Sequence, residues 1–362
     1  MKLQRLLAVM VKELRQMRRD RITLAMIVGI PVVQLLLFGY AINTNLRDLA
    51  AGISDQAGTS ASRALAMDIV ASGVVSPVLD AATPQELLEA MRRGRISIGI
   101  VIPPDFEARR AEGREAVQIL VDGSDNAVQS AAAQLAQMPL DGRGGNALAT
   151  RDISVVAFYN PQRRSAVNIV PGLIGVILTM TMVLFTAVAI VRERERGNME
   201  LLIASPVTSF ELMVGKVLPY VAIGLVQTTV VLGLGLGLFR VPMGGSVLDV
   251  YLAACLLILA NLTLGLLIST RAASQFQAMQ MTFFVLLPSI LLSGFMFPFS
   301  GMPRAAQWLA ELLPLTHFLR LVRGIMLRGA GLADLWPDVL ALLAFTAVMM
   351  AAAILRFRKR LD

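Results

Sequence analysis

Val167–Val191 reads VNIVPGLIGVILTMTMVLFTAVAIV, and Arg192–Gly197 immediately after it reads RERERG. An uncharged run this long exceeds the roughly 20 residues a helix needs to cross a hydrocarbon core, so it is a membrane span. The charged exit continues into Asn198-Met199-Glu200-Leu201-Leu202-Ile203-Ala204-Ser205-Pro206, which mixes charge with apolar side chains. Asn198 suits a helix N-cap and Pro206 disfavours helix at Ser205, which predicts a short helix of about two turns. Thr208-Ser209-Phe210-Glu211 then has the pattern of a capping box that starts the next helix. An apolar face on so short a helix fits a groove on a cytoplasmic partner or a tightly packed reversal between two spans, and spacing alone leaves both open.

The same length criterion selects Ile22–Ile42, Val217–Phe239, Tyr251–Ile268, Met279–Phe299 and Val339–Leu355, making six spans. Composition agrees, since 56% of the 362 residues are hydrophobic and 16% are charged, too apolar for a soluble chain of this size. The net charge of +8 comes from basic residues beside apolar runs, with no aromatic-interleaved groove, so membrane topology accounts for it and nucleic acid does not. Lys2, Arg5, Lys12, Arg15, Arg18, Arg19 and Arg21 precede the first span, and Arg356, Arg358, Lys359 and Arg360 follow the last. The positive-inside rule places both termini, including the tail 356–362, in the cytoplasm. The first apolar run is longer than a signal peptide's, so it reads as an uncleaved anchor. Leu3, Leu6, Leu7, Met10, Val11, Leu14 and Met17 recur at helical spacing, which predicts an interfacial helix over 1–21.

Between the first two spans, residues 43–166 are long enough for a domain and fall outside the cytoplasm in this topology. Ile96–Ile102, Val117–Val121 and Ile153–Phe158 are short and β-branched, as strands are. Thr83-Pro84-Gln85-Glu86 opens a helix to about Arg93, and Ser60–Ser72 reads as another. The expectation is a small α/β domain with a break at Asp141–Gly145 (DGRGG). The fold class is thus an α-helical polytopic membrane protein with an N-terminal interfacial helix and a small α/β external domain.

Several polar features admit two readings. Asn168, Thr179, Gln227, Asn261 and Pro288 are candidates for a translocation path, whereas interhelical hydrogen bonds account for most uncharged polar residues in spans. No span carries an internal Asp, Glu or Lys, which argues against a proton- or sodium-driven carrier. Residues 300–337, preceded by Pro298 and containing Pro303 and Pro314, read as short helices dipping into the outer leaflet and returning, or as a peripheral loop of amphipathic helices. Their arginines, Arg304, Arg320, Arg323 and Arg328, suit lipid phosphate, an anionic substrate or plain solvation. Trp308 and Trp336 mark the outer interface. His317, the sole histidine, has no evident partner and is read as structural, and the single Cys255 allows neither an internal disulfide nor a thiolate metal cluster.

The order Tyr159-Asn160-Pro161, Ile169-Val170-Pro171-Gly172-Leu173, RERERG, Leu201-Leu202, Ser205-Pro206, Glu211-Leu212 and Gly215-Lys216 resembles the permease subunits of type-2 ABC exporters, over nearly the whole chain. The resemblance implies that the cytoplasmic loop 192–216 contains a coupling helix docking on an ATP-binding subunit, through Arg192, Glu193, Arg194, Glu195, Arg196, Gly197, Met199, Glu200, Leu201, Leu202, Ser205 and Pro206. It further implies re-entrant helices before the last span, a second permease copy or paralogue, contact with membrane lipids, and a place in a bacterial inner membrane. The chain has no P-loop, because Gly215-Lys216 is followed by Val217, so it would bind no cofactor, with ATP and Mg held by the partner subunit. Export of small amphipathic or lipidic, drug-like compounds is the task implied. The external domain leans toward efflux with a periplasmic adaptor and away from polymer export. Two alternatives stand: a scaffold or sensor whose external domain binds a ligand or adaptor, and a lipid or polymer permease.

Overall fold

The computed structural model describes residues 48–135, 153–162, 164–195 and 209–356. The expected interfacial helix, the span Ile22–Ile42, the DGRGG break, the bridge residues 196–208 and the tail beyond Arg356 lie outside the described residues.

Five strands form one mixed sheet: β1 Leu49–Asp55, β2 Val75–Asp80, β3 Ile98–Ile102, β4 Val117–Asp122 and β5 Ile153–Phe158, in the order β2-β1-β3-β4-β5. All neighbouring pairs are parallel except β3–β4, which is antiparallel. β3, IGIVI, is buried along its whole length because both faces are covered. Ile98, Ile100 and Ile102 meet α1 (Ser60–Ala71), α3 (Phe106–Ala111) and α4 (Asn126–Leu135) through Leu65, Ile69, Phe106, Val128 and Ala132. Val101, on the opposite face, meets α2 (Pro84–Arg92) through Leu87 and Met91. Local chemistry sets the helix starts: Thr59 and Ser62 form a reciprocal capping box for α1, and Thr83 Oγ1 accepts from the Glu86 amide at the head of α2. The reciprocal arm at Thr83 is displaced by one residue, with Glu86 Oε2 accepting from Ala82 N at 3.1 Å.

The rest is a helical bundle. α5 (Ser165–Glu195), α6 (Ser209–Gly237), α7 (Val247–Ser269), α8 (Gln275–Leu292) and α11 (Trp336–Arg356) are each long and apolar enough to cross a membrane. Two short helices, α9 (Arg304–Glu311) and α10 (Pro314–Met326), come before α11. This is a polytopic membrane protein. α5 and α7 are the most enclosed, and α6, α8 and α11 pack around them. α5 spans about 46 Å at 1.5 Å per residue, well beyond a hydrocarbon core of about 30 Å. Pro171 lies inside α5, since the helix already starts at Ser165.

The helices alternate in direction. α5 starts beside β5 and ends next to Gln275, the first residue of α8. The end of α6 returns toward the sheet domain, where Arg164, just after β5, donates to Phe239 O and Arg240 O, and the residues before α7 are tied to the end of α10 by Gly244 N to Met326 O at 2.7 Å. The bundle therefore has a domain end and a bridge end.

The fifth span ends sooner than expected. The fifth apolar run was read as a span through Phe299, but α8 stops at Leu292; Ser293 caps it and Gly294 turns with φ of 88°. A left-handed residue ends an α-helix, and glycine adopts that conformation without steric cost.

α5 and α7 touch closely at Gly265, where an added Cβ would lie 2.8 Å from Val183 O and 2.9 Å from Thr186 Cβ. Gly265→Val is therefore expected to destabilise the bundle by about 1–3 kcal/mol. The thermal melt of the detergent-solubilised protein should fall by several degrees, and an unchanged melt would contradict this packing.

Candidate functional site

At the bridge end, α5 closes with Arg192, Glu193, Arg194 and Glu195. Arg194 Nη2 donates to Ala272 O, and the Glu195 carboxylate accepts from Gln275 N at 2.9 Å and Gln275 Nε2 at 2.5 Å. Gln275 opens α8, so Glu195 satisfies a donor that the helix itself leaves unpaired and places negative charge at the positive end of its dipole. Ser274 Oγ accepts from Gln277 N at 3.2 Å, and Gln277 Oε1 accepts from Ala273 N. The end of one span is thus bonded to the first turn of another. Of the residues assigned to coupling, Arg192, Glu193, Arg194 and Glu195 are described; Arg196, Gly197, Met199, Glu200, Leu201, Leu202, Ser205 and Pro206 lie outside the described residues. Gln275 and Ala272 were missed by the sequence reading, although Ser274-x-x-Gln277 is a readable capping pattern.

The candidate path residues do not converge on one surface. Thr179 and Asn261 are buried and joined, Asn261 Nδ2 donating to Thr179 Oγ1 at 3.1 Å across α5 and α7. Gln227, partly exposed on α6, accepts from Thr181 Oγ1 at 2.9 Å. Asn168 is buried near the start of α5, and Pro288 lies within the second half of α8, half-buried.

At the domain end, ionic contacts link the sheet domain to the segment around α10. Arg92 Nη1 lies 3.1 Å from Asp334 Oδ2 and donates to Gly329 O at 3.3 Å. Arg328 Nη1 reaches Asp122 Oδ2 at 3.4 Å, both side chains nearly enclosed. In the domain itself, Arg92 also hydrogen-bonds Glu89 and holds that carboxyl below the usual carboxylate range. His317 has the partner the sequence did not reveal: Nδ1 lies 2.8 Å from Asp338 Oδ1, and Nε2 2.9 Å from Glu311 O. Both ring nitrogens face acceptors, an arrangement only the imidazolium satisfies fully. Arg320 adds contacts to Glu311 and Asp338 and stacks over Phe299 at 4.6 Å. Trp308 and Trp336 are both exposed. Among the described residues no group of His, Cys, Asp and Glu is arranged to hold a metal ion.

Residues 21–355 match the family described as ABC-2 family transporter protein. The chain belongs to the ABC-2 transporter family. Two relatives from Escherichia coli strain K12 are similar from end to end. One is named "Probable multidrug ABC transporter permease YbhS", 32% identical over 99% of this chain and 98% of its own length. The other, "Inner membrane transport permease YhhJ", is 30% identical over 96% of each chain. A third, "Probable multidrug ABC transporter permease YbhR", is 29% identical over 98% of this chain. The ABC-2 match covers both the bundle and the sheet domain, so the two ends described above belong to one permease architecture.

The Arg92–Asp334 pair is partly exposed, so its contribution is expected to be small, about 0.2–1 kcal/mol. A double-mutant cycle of Arg92→Ala and Asp334→Ala, read by thermal melts, should give a favourable coupling of that size. Strictly additive losses would contradict a direct interaction.

Proposed function

We propose that this chain is the membrane permease of an ABC exporter that moves small amphipathic or lipidic compounds out of the cytoplasm or inner leaflet. The observation that carries the reading is the end-to-end similarity to permeases, two of which are named for multidrug transport. ATP and Mg are held by a separate ATP-binding subunit, and a second permease copy or paralogue completes the path. Its place is a bacterial inner membrane, as the name of the relative YhhJ says of that protein.

In the proposed topology the span Ile22–Ile42 joins the five described helices, the sheet domain is external and both termini are cytoplasmic. Support comes from charge: Arg192, Arg194, Arg271 and Arg356 all fall at the bridge end. α9 and α10 form the re-entrant pair. α10 suits that role because it is buried along most of its length while α9 keeps only Ala310 buried.

The bridge at 192–206 is the coupling element. A load on it is handed to α5 directly and to α8 through Glu195 and Gln275, so one contact biases two helices. For ATP binding to drive transport, the motor subunit must prefer one arrangement of this end over the other. Thr179 and Asn261 act as a brace between α5 and α7, leaving Gln227, Asn168 and Pro288 as path candidates. In inverted membrane vesicles, Glu195→Lys combined with Leu201→Asp should lower ATP-driven efflux of an amphipathic dye at least about tenfold, a loss near 1.4 kcal/mol of coupling. Insertion and ATP hydrolysis by the complex should persist. Full efflux in the double variant would refute the coupling role.

A further inference from the structure

The domain end encloses a cavity of about 280 Å³ that the transport reading does not use. One wall is the sheet domain, with Arg93, Ser97, Asp122 and Ser124; the other is the membrane side, with Ser293, Gly294, Phe299, Arg320, Arg323 and Arg328. Its size falls just below the roughly 300–1,000 Å³ of pockets for drug-sized ligands, so a headgroup-sized occupant fits and a drug does not.

The charges on the wall are unequally matched. Arg93 has Glu89 at 2.9 Å, Arg320 has Glu311 at 2.5 Å, and Arg328 has Asp122 at 3.4 Å. The acids of the wall are likewise engaged: Asp122 holds Arg328 and the Ser124 amide, Asp338 holds His317 and Arg320, and Asp125 is not free. Arg323 differs. Its guanidinium has no carboxylate within 4.0 Å among the described residues, and its one hydrogen bond goes from Nη1 to Gly294 O at 3.2 Å. Nε, like that of Arg328, is closed from solvent and without a hydrogen-bond partner among the described residues. Asp125 and Asp122 act on the Arg323 guanidinium only through longer-range attraction. A guanidinium offers five donors in a planar fork, and leaving enclosed donors without a hydrogen-bond acceptor is costly. Ser97, Ser124 and Ser293 line the same space; the Ser293 hydroxyl donates to Ile290 O at 3.2 Å, so the charged donors of the site come from its arginines, whose forked geometry suits a phosphate-type anion.

We propose that this cavity binds a phosphate-type anion, with Arg323 as its principal cation. Such a group reaches it either as the headgroup of an anionic phospholipid or as free phosphate. Because the cavity is built half from the sheet domain and half from α8, α10 and α11, an occupant would fasten the two together. The site goes beyond the export reading and stands or falls apart from it.

The test uses the full chain in nanodiscs. In phosphatidylcholine discs, inorganic phosphate is titrated; in a second arm without phosphate, discs containing phosphatidylglycerol are examined by native mass spectrometry for retained lipid. Saturable binding is expected in at least one arm, and the arm assigns the source. Arg323→Gln should weaken it at least about tenfold. Arg323→Lys, which keeps the charge but loses the fork, should fall between. Arg304→Gln, on exposed α9, should match the unmodified chain. Absence of binding in both arms, an unaffected Arg323→Gln, or equal loss in Arg304→Gln would overturn the proposal. Should Arg323→Gln fail to fold, the melting temperature of the unmodified chain in the same discs reports instead. Saturable change on adding phosphate or phosphatidylglycerol supports the site, and no change overturns it.

Discussion

Hydrocarbon offers no hydrogen-bond partner, and the bundle is arranged around that constraint. The hydroxyls of Thr228, Thr282, Ser289 and Thr346 each turn back on the carbonyl four residues earlier in their own helices. Thr181 does the same toward Ile177 O while sharing its oxygen with Gln227, and Asn261 reaches across to Thr179. Such interhelical bonds contribute about 0.6 kcal/mol on average, little more than in water. Their value lies in selecting which helix faces meet. Close approach does the rest, with small residues such as Gly265 bringing α5 and α7 nearly backbone to backbone.

The same constraint sorts the ionisable groups. In the described spans they sit at helix ends, where water and the opposite dipole are available. At the bridge end they link the end of α5 to the start of α8, across two intervening helices, Glu195 to Gln275 and Arg194 to Ala272. At the domain end they join parts of the chain far apart in sequence, as Arg92 does with Asp334 and Arg328 with Asp122. α5 runs from one set to the other. It is therefore the element through which the proposed ATP-driven movement at the bridge would reach the sheet domain.

Long apolar runs made the membrane class legible without any structural help, because length and hydropathy are local properties. The strands β3, β4 and β5 were legible for the same reason, being short β-branched segments. β1 and β2 were not. LAAGISD has low strand propensity, and VSPVLD carries Pro77, which argues against a central strand. β2 is an edge strand, and its register against β1 shifts at Ala51/Gly52, opposite Pro77, so the proline costs little. α4, with the sequence NAVQSAAAQL, lacks a strong amphipathic signature and was likewise unread. The ionic cluster at the domain end was half visible. His317, Arg320 and Arg323 recur at intervals of three along an apolar helix, which marks a polar stripe, but their partners Glu311, Asp338 and Gly294 come from tertiary packing.

The central claim is that this chain supplies the path while a separate subunit supplies the energy. The most direct measurement is ATPase activity in lipid nanodiscs for the purified chain alone, for the ATP-binding subunit alone and for the two together, across a panel of amphipathic drugs and lipids. The account predicts no activity from the chain alone and a stable complex whose activity rises with at least one amphipathic compound. Failure to associate with any ATP-binding subunit, or hydrolysis by the chain on its own, would contradict it.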